Sequence, residues 1–284
     1  MYEIAAALVA LYLPEGGPAS ALPRRRWPAV VAALRRYPAL SPSEALIQAH
    51  LEQEAVFLNE SRLDRAHELL LSGCALTAEC GGYPLRWLEV LGAGAPPVIW
   101  KRGQLPIGKG CMSIVGSREV SPAVYRFCRS CGVRAAQARW IVITGGAEGC
   151  DRAAIAGAGA QSVVLLPCGL GARRTQAGCE LSLSPWQSGF SAAAAMQRNA
   201  LIYAASAFSI VGAVRFKEGG TWHGAIGCLR SKSSPIFVYK DQPDGGIGAR
   251  SLAALGARWI GSASEIPSLL EAPPSPKDLF SEAG

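Results

Sequence analysis

Residues 140–151 read WIVITGGAEGCD, a short apolar run followed at once by a glycine-rich turn. The run from Trp140 to Thr144 is predominantly apolar, as expected for a strand that is buried on both faces of a sheet. The turn has the composition of one that opens a helix, where free amides and the positive end of the helix dipole attract anions. This stretch therefore predicts a strand, an anion-binding turn and a helix in succession.

Similar apolar runs recur along the rest of the chain, and helix-length segments separate most of them. Alternation of buried strands with helices is typical of a doubly wound α/β fold with a mostly parallel sheet. We therefore predict a Rossmann-like domain over residues 111–271. The further strands are expected at Met112–Gly116, Ser162–Pro167, Phe208–Val214, Pro235–Tyr239 and Arg258–Ile260.

The segments on either side of this domain have different patterns. From Tyr2 to about Leu70 apolar residues recur at helical spacing, and Ser41 with Pro42 forms an N-cap and first-turn pair that starts a helix. The sequence predicts a small all-helical N-terminal domain at 1–73, a glycine- and proline-rich linking segment at 74–110, and a disordered tail at 272–284.

The composition excludes a disordered chain, since 50% of the 284 residues are hydrophobic and only 17% are charged. The net charge of +7 comes largely from 22 arginines, which favours a polyanionic ligand or equally reflects a compositional habit of the genome. The sequence has no apolar run of membrane-spanning length and no secretory signal pattern. Together with nine scattered cysteines, this predicts a cytoplasmic protein with reduced thiols and no membrane association.

Four of the predicted strand ends carry unusual residues. In a doubly wound sheet, ligands bind at the carboxyl ends of the strands. A glycine at any one of these turns is more often there to let the chain reverse, but four such ends at one edge favour an anion site. The four groups are Gly116, Ser117 and Arg118; Gly145, Gly146, Ala147, Gly149 and Asp151; the loop 167–171 with Arg173 and Arg174; and Lys217, Gly219, Gly220 and Thr221.

These motifs, in their order and spacing, resemble the DNA-processing protein A family (DprA, also called Smf). That family belongs to a superfamily that includes the LOG-type nucleotide hydrolases. The resemblance extends from about Tyr83 to Leu270 and includes Arg198 with Asn199, which are expected to open a helix. It implies a Rossmann-like fold that binds single-stranded DNA, forms a homodimer and loads a RecA-type recombinase during DNA uptake or recombination.

Two other functions stay open, a LOG-type nucleotide hydrolase and a nucleotide-sensing domain. Glu148 and Glu218 offer an acid/base pair, yet Gly224 stands where the hydrolase motif carries a glutamate. Asp151 suits a helix-capping role and a functional role equally. We expect no catalytic residue, no cofactor and no metal site, because Cys128 and Cys131 lack companion ligands at metal-binding spacing.

Overall fold

The computed structural model describes residues 2–13, 24–171, 175–184, 191–242 and 246–271. The predicted tail at 272–284 and the candidate cations Arg173 and Arg174 lie outside the described residues. The strands are β1 Ala75–Leu76, β2 Ile99–Gly103, β3 Cys111–Val115, β4 Ile141–Thr144, β5 Ser162–Leu166, β6 Cys179–Ser182, β7 Phe208–Val211, β8 Ile236–Tyr239 and β9 Arg258–Ile260.

These strands form one nine-stranded sheet in the order β1-β2-β6-β5-β4-β3-β7-β8-β9. From β6 at one side to β9 at the other, every neighbouring pair is parallel, while β2 pairs antiparallel with β6 and with β1. The doubly wound, mostly parallel α/β sheet that the sequence predicts is therefore confirmed. Strands β3, β4 and β7 are buried along their whole length, which explains their predominantly apolar sequences. The buried hydroxyls of Ser113 in β3 and Ser209 in β7 satisfy each other through a hydrogen bond of 2.7 Å.

Helices cover the sheet and form the N-terminal region. The N-terminal helices are α1 Tyr2–Tyr12, α2 Trp27–Arg36, α3 Pro42–Gln48, α4 Glu52–Ala55 and α5 Glu60–Leu71. The later helices are α6 Arg86–Leu91, α7 Pro122–Gln137, α8 Cys150–Ala158, α9 Ala192–Ala205, α10 Gly219–Ser231, α11 Ile247–Ala254 and α12 Ile266–Glu271. In the described part of the chain, none of them combines the length and apolarity needed to cross a bilayer.

The start of α3 follows from its capping residues. The hydroxyl of Ser41 accepts a hydrogen bond from the Glu44 amide, and the Glu44 carboxylate accepts one from the Ser41 amide at 2.9 Å. Two otherwise unpaired amides are thereby satisfied at the first turn, where Pro42 has no amide hydrogen to lose. The predicted helix start at Ser41 is confirmed.

Strands β1, β2 and β6 are not predicted by the sequence pattern. The segment 74–110, expected as a link, supplies β1, β2 and α6, and its residue Trp100 packs in the core of the N-terminal helices. Strand β6 contains Glu180, which is buried. A charged residue in a short segment argues against a buried strand unless an oppositely charged partner compensates it. That partner is Arg102 of β2, which forms an ion pair with it across the two strands.

Helices α7 and α8 pack with their backbones in contact. A Cβ on Gly157 would overlap the carbonyl oxygen of Arg129, and one on Gly132 would lie 2.6 Å from the carbonyl oxygen of Ala154. Only glycine permits this approach at either position. These contacts hold the C-terminal half of α8 directly against α7.

Candidate functional site

A cavity of about 670 Å³ opens at the carboxyl ends of the parallel strands, a size typical of ligand-binding pockets. Its walls come from the loop after β3, the first turn of α8, the inner face of α9 and the start of α10. Ten of the predicted site residues line it: Gly116, Ser117, Arg118, Ala147, Asp151, Arg198, Asn199, Gly219, Gly220 and Thr221. The other four, Gly145, Gly146, Gly149 and Lys217, lie beside it without lining it.

Arg198 lies in the middle of α9, so the prediction that it opens a helix with Asn199 is wrong. The helix begins at Ala192, where the Ser191 hydroxyl accepts a hydrogen bond from the Ala194 amide at 3.0 Å. The alanine run from Ala192 to Ala195 is a strong helix former and extends the helix toward its N-terminus. The free amides at the start of this helix therefore precede Arg198 in the chain by more than a turn, rather than adjoining it as predicted.

The guanidinium of Arg198 is buried in the cavity wall and only partly satisfied. The residue is 9% exposed, and its Nη1 donates to the carbonyl oxygen of Leu165 at 3.1 Å. Its buried Nε has no hydrogen-bond partner among the described residues. Burial lowers the pKa of Arg198, while the nearby carboxylate of Asp151 opposes that shift. An unsatisfied buried donor is costly, so this guanidinium retains the capacity to donate to a further acceptor.

Asp151 is buried in the first turn of α8 and ties down the preceding loop. Its Oδ2 accepts hydrogen bonds from the amides of Gly145 at 3.1 Å and Ala147 at 3.3 Å. Burial raises the pKa of Asp151 to about 6, against the opposing effects of Arg198 and the two amides. Two of the amides that the sequence offers as an anion cradle are thus bonded to this carboxylate.

The glycines around the cavity make room for neighbouring protein groups. A Cβ on Gly145 would overlap Nη1 of Arg198 and lie 2.9 Å from Oδ2 of Asp151. A Cβ on Gly116 would overlap Sγ of Cys150, and Gly149, at φ +75°, abuts the carbonyl oxygens of the loop after β3. At these three positions the small residue is explained by packing of the loops against one another.

The mouth of the cavity carries several charged groups. Arg118 is exposed and forms no ion pair within the described part of the chain, whereas Arg215 pairs with Glu119 at 2.6 Å. The side-chain amide of Asn199 donates to the carbonyl oxygen of Gly220 at 3.1 Å, which links α9 to the start of α10. Arg118 therefore adds an uncompensated positive charge at the entrance.

Tyr203 is a cavity residue that sequence reasoning misses. Its side chain lines the cavity, its hydroxyl is buried, and the structure gives that hydroxyl no hydrogen-bond partner among the described residues. Burial raises the pKa of this phenol well above its usual value, so it stays a donor. In an apolar stretch of helix a tyrosine is most simply assigned to the core, and only the three-dimensional position reveals it.

The other chemical candidates do not assemble at the cavity. Glu148 is exposed and pairs with Arg152 at 2.7 Å, whereas Glu218 lines the cavity. The two carboxylates therefore do not face the same space as an acid/base pair would. Cys128 and Cys131 are both buried on α7. The neighbouring Cys150 thiol and burial raise the pKa of Cys128, and burial raises that of Cys131, which disfavours a reactive thiolate at either position.

The raised pKa of Asp151 predicts a pH dependence of folding stability. Between pH 3.8 and about 6 the unfolded chain loses this proton while the folded chain keeps it, so stability falls as pH rises. From about pH 4 to about pH 7, the free energy of unfolding should fall by about 2 kcal/mol more in the wild type than in Asp151→Asn. Chemical denaturation at both pH values measures this difference, and parallel pH profiles for the two proteins would contradict it.

Comparisons with known proteins bear on this fold and site. The family model described as DNA recombination-mediator protein A matches residues 75–271. The structure of DNA processing protein A from Streptococcus pneumoniae covers 94% of this chain and 96% of its own, with a TM-score of 0.64 and 16% identity. That of Helicobacter pylori DNA processing protein A, described with its single-stranded DNA binding mode, covers 62% of this chain and 88% of its own, with a TM-score of 0.54 and 21% identity. No curated protein sequence matches the chain.

Proposed function

The chain belongs to the DNA recombination-mediator protein A family, and from this premise we propose that it binds single-stranded DNA in the cavity at the strand ends. The observation that carries the proposal is the Arg198 guanidinium, which is buried in the cavity wall and whose Nε has no partner among the residues that the structure describes. A phosphate oxygen is the acceptor that best suits a guanidinium, and the bond between them is charge-assisted.

The shape of the cavity favours an unpaired strand over a duplex. A concave space of about 670 Å³ accommodates a nucleotide that is free to turn out of a stack, as in most recognition of single strands. In a duplex the bases are paired and stacked, so a whole nucleotide does not turn out into a cavity without breaking the pair. Arg118 at the entrance supplies a further phosphate contact that does not depend on sequence.

The finer function follows from family membership and is part of the proposal. We infer that the chain acts in DNA recombination, including natural transformation, by loading a RecA-type recombinase onto single-stranded DNA in the cytoplasm. We also propose a homodimer. Its support is the edge of the sheet at β9, where Trp259 is 45% exposed and Leu255, just before the strand, is 58% exposed.

Ligand class is tested by comparing a single-stranded oligonucleotide, a duplex of the same sequence and mononucleotides at two salt concentrations. The proposal predicts that the single strand binds most tightly and that its affinity falls steeply with salt. Tight binding of a mononucleotide with weak binding of the strand would instead favour the nucleotide-hydrolase or nucleotide-sensing alternative.

Replacing Arg118 with glutamine should weaken single-stranded DNA binding several-fold at low salt. Loss of one phosphate contact lowers the slope of log affinity against log salt by about 0.7 for a single strand. The matched control is Arg134→Gln, which changes the net charge equally in the last turn of α7, remote from the loop that follows β3. Fluorescence anisotropy titrations give both slopes. Equal losses in the two variants would show that only the overall charge matters.

A further inference from the structure

Phe216, in the loop between β7 and α10, stands at the rim of the cavity. It is one of the large apolar side chains that the fold leaves accessible, with 42% of its surface exposed. Two neighbours in the same loop, Arg215 and Glu218, line the cavity itself. An aromatic ring at the entrance of a binding cavity is placed to contact whatever enters.

The orientation of this ring is fixed by its neighbours. Trp222, a buried residue in the first turn of α10, contacts the Phe216 ring edge to face, with centroids 5.1 Å apart and planes at 76°. The ammonium of Lys217 lies 5.0 Å from the centre of the same ring. Lys217 has φ +58°, a left-handed backbone conformation that is uncommon for a residue other than glycine. An aromatic face and a positive charge are thus held side by side at the rim.

We propose that Phe216 is a stacking platform for one nucleobase of the bound strand and that Lys217 binds the phosphate next to that base. This inference deepens the proposed function and rests on it. The ammonium over the ring shows that the aromatic face is accessible to a cation, and a base that takes this face leaves the ammonium to pair with phosphate. Every base has an aromatic face, so such a contact favours single strands without selecting a sequence.

The charges near the ring are consistent with this assignment. Arg215, on one side of Phe216, is neutralised by its ion pair with Glu119, whereas Lys217, on the other side, has no ion pair within the described part of the chain. A phosphate at this rim therefore meets Lys217 as the available cation. The adjacent carboxylate of Glu218 disfavours a second phosphate at the same place.

The test uses the full chain and two probes, an oligothymidylate of about 12 nucleotides and an abasic strand with the same number of phosphates. Phe216→Leu removes the aromatic face and keeps an apolar side chain, and Phe216→Trp restores an aromatic face. Phe216→Leu should weaken oligothymidylate binding on the order of fivefold or more and change abasic binding by less than about twofold. Phe216→Trp should bind oligothymidylate at least as tightly as the wild type. Thermal melts verify that both variants are folded.

The outcomes separate the two proposals. An equal loss of affinity for both probes in Phe216→Leu would overturn the stacking role, because the ring would then support only the shape of the loop. Unchanged affinity for oligothymidylate would overturn it as well. Absence of binding to either probe by the wild type would refute the proposed function and the inference together.

Discussion

Replacing Arg198 with methionine should remove most of the single-stranded DNA affinity and destabilise the fold at the same time. The lost charge-assisted hydrogen bonds to phosphate weaken binding by about 1.5–3 kcal/mol, which is roughly ten- to a hundredfold. The loss of stability has a separate cause. Without the guanidinium, the buried carboxylate of Asp151 loses the nearby positive charge that offsets its burial, and leaving a buried polar group without its partner costs about 1–3 kcal/mol.

The double variant Arg198→Met with Asp151→Asn separates the two effects. Because it leaves no uncompensated buried charge, it should recover much of the stability that the single variant loses. Its DNA affinity should stay low, since the phosphate contact is still missing. Chemical denaturation and anisotropy titrations are carried out on the wild type, the two single variants Arg198→Met and Asp151→Asn, and the double variant, which together form a double-mutant cycle. A double variant that binds like the wild type would exclude Arg198 from the binding site.

Replacing Gly149 with alanine should destabilise the protein more than replacing Gly159 does, although the two glycines have nearly the same backbone conformation. They cap the two ends of α8, at φ +75°, ψ −120° and φ +54°, ψ −124°. A Cβ on Gly149 would overlap the carbonyl oxygens of Ser117 and Arg118, whereas one on Gly159 meets nothing within 4 Å. The conformational cost is therefore shared, and only Gly149→Ala adds a steric cost of about 1–3 kcal/mol.

The same pair of variants also tests the site. Gly149→Ala has to displace the backbone at Arg118, so single-stranded DNA affinity should fall in the fraction that remains folded. Gly159→Ala, at the far end of the helix, should leave affinity unchanged. Melting temperatures and binding titrations provide both comparisons. Equal melting temperatures for the two variants would contradict the prediction, because they would show that the loop after β3 moves to accommodate the added methyl group without loss of stability.

The sequence predicts the central strands well because their burial is complete. Strands such as β4 and β7 are predominantly apolar, so they can be predicted from their own residues without knowing which strands they pair with. Strand β6 cannot be predicted in this way, because Arg102, the ion-pair partner of Glu180, lies on β2, 78 positions away in the sequence. Its stability depends on a pairing that no local window contains.

Much of the cavity lining is predicted from residues at strand ends, because a parallel sheet brings those ends together. What local sequence does not contain is how the groups satisfy one another. Two such features appear only in the folded chain. The amides of Gly145 and Ala147 donate to Asp151, and the buried hydroxyl of Tyr203 finds no partner in the described part of the chain. The sequence prediction also places the start of α9 too late, at Arg198. The helix begins earlier because Ser191 caps it and the alanines that follow are strong helix formers.

The backbone contact between α7 and α8 has a consequence for motion. With no side chain between Gly157 and the Arg129 carbonyl group, the two helices cannot slide without breaking main-chain packing. Their amides should therefore exchange with deuterium as one cooperative unit, with similar protection along both helices. The loop of Phe216 lies outside this unit, so its amides should exchange independently of the wall formed by α8.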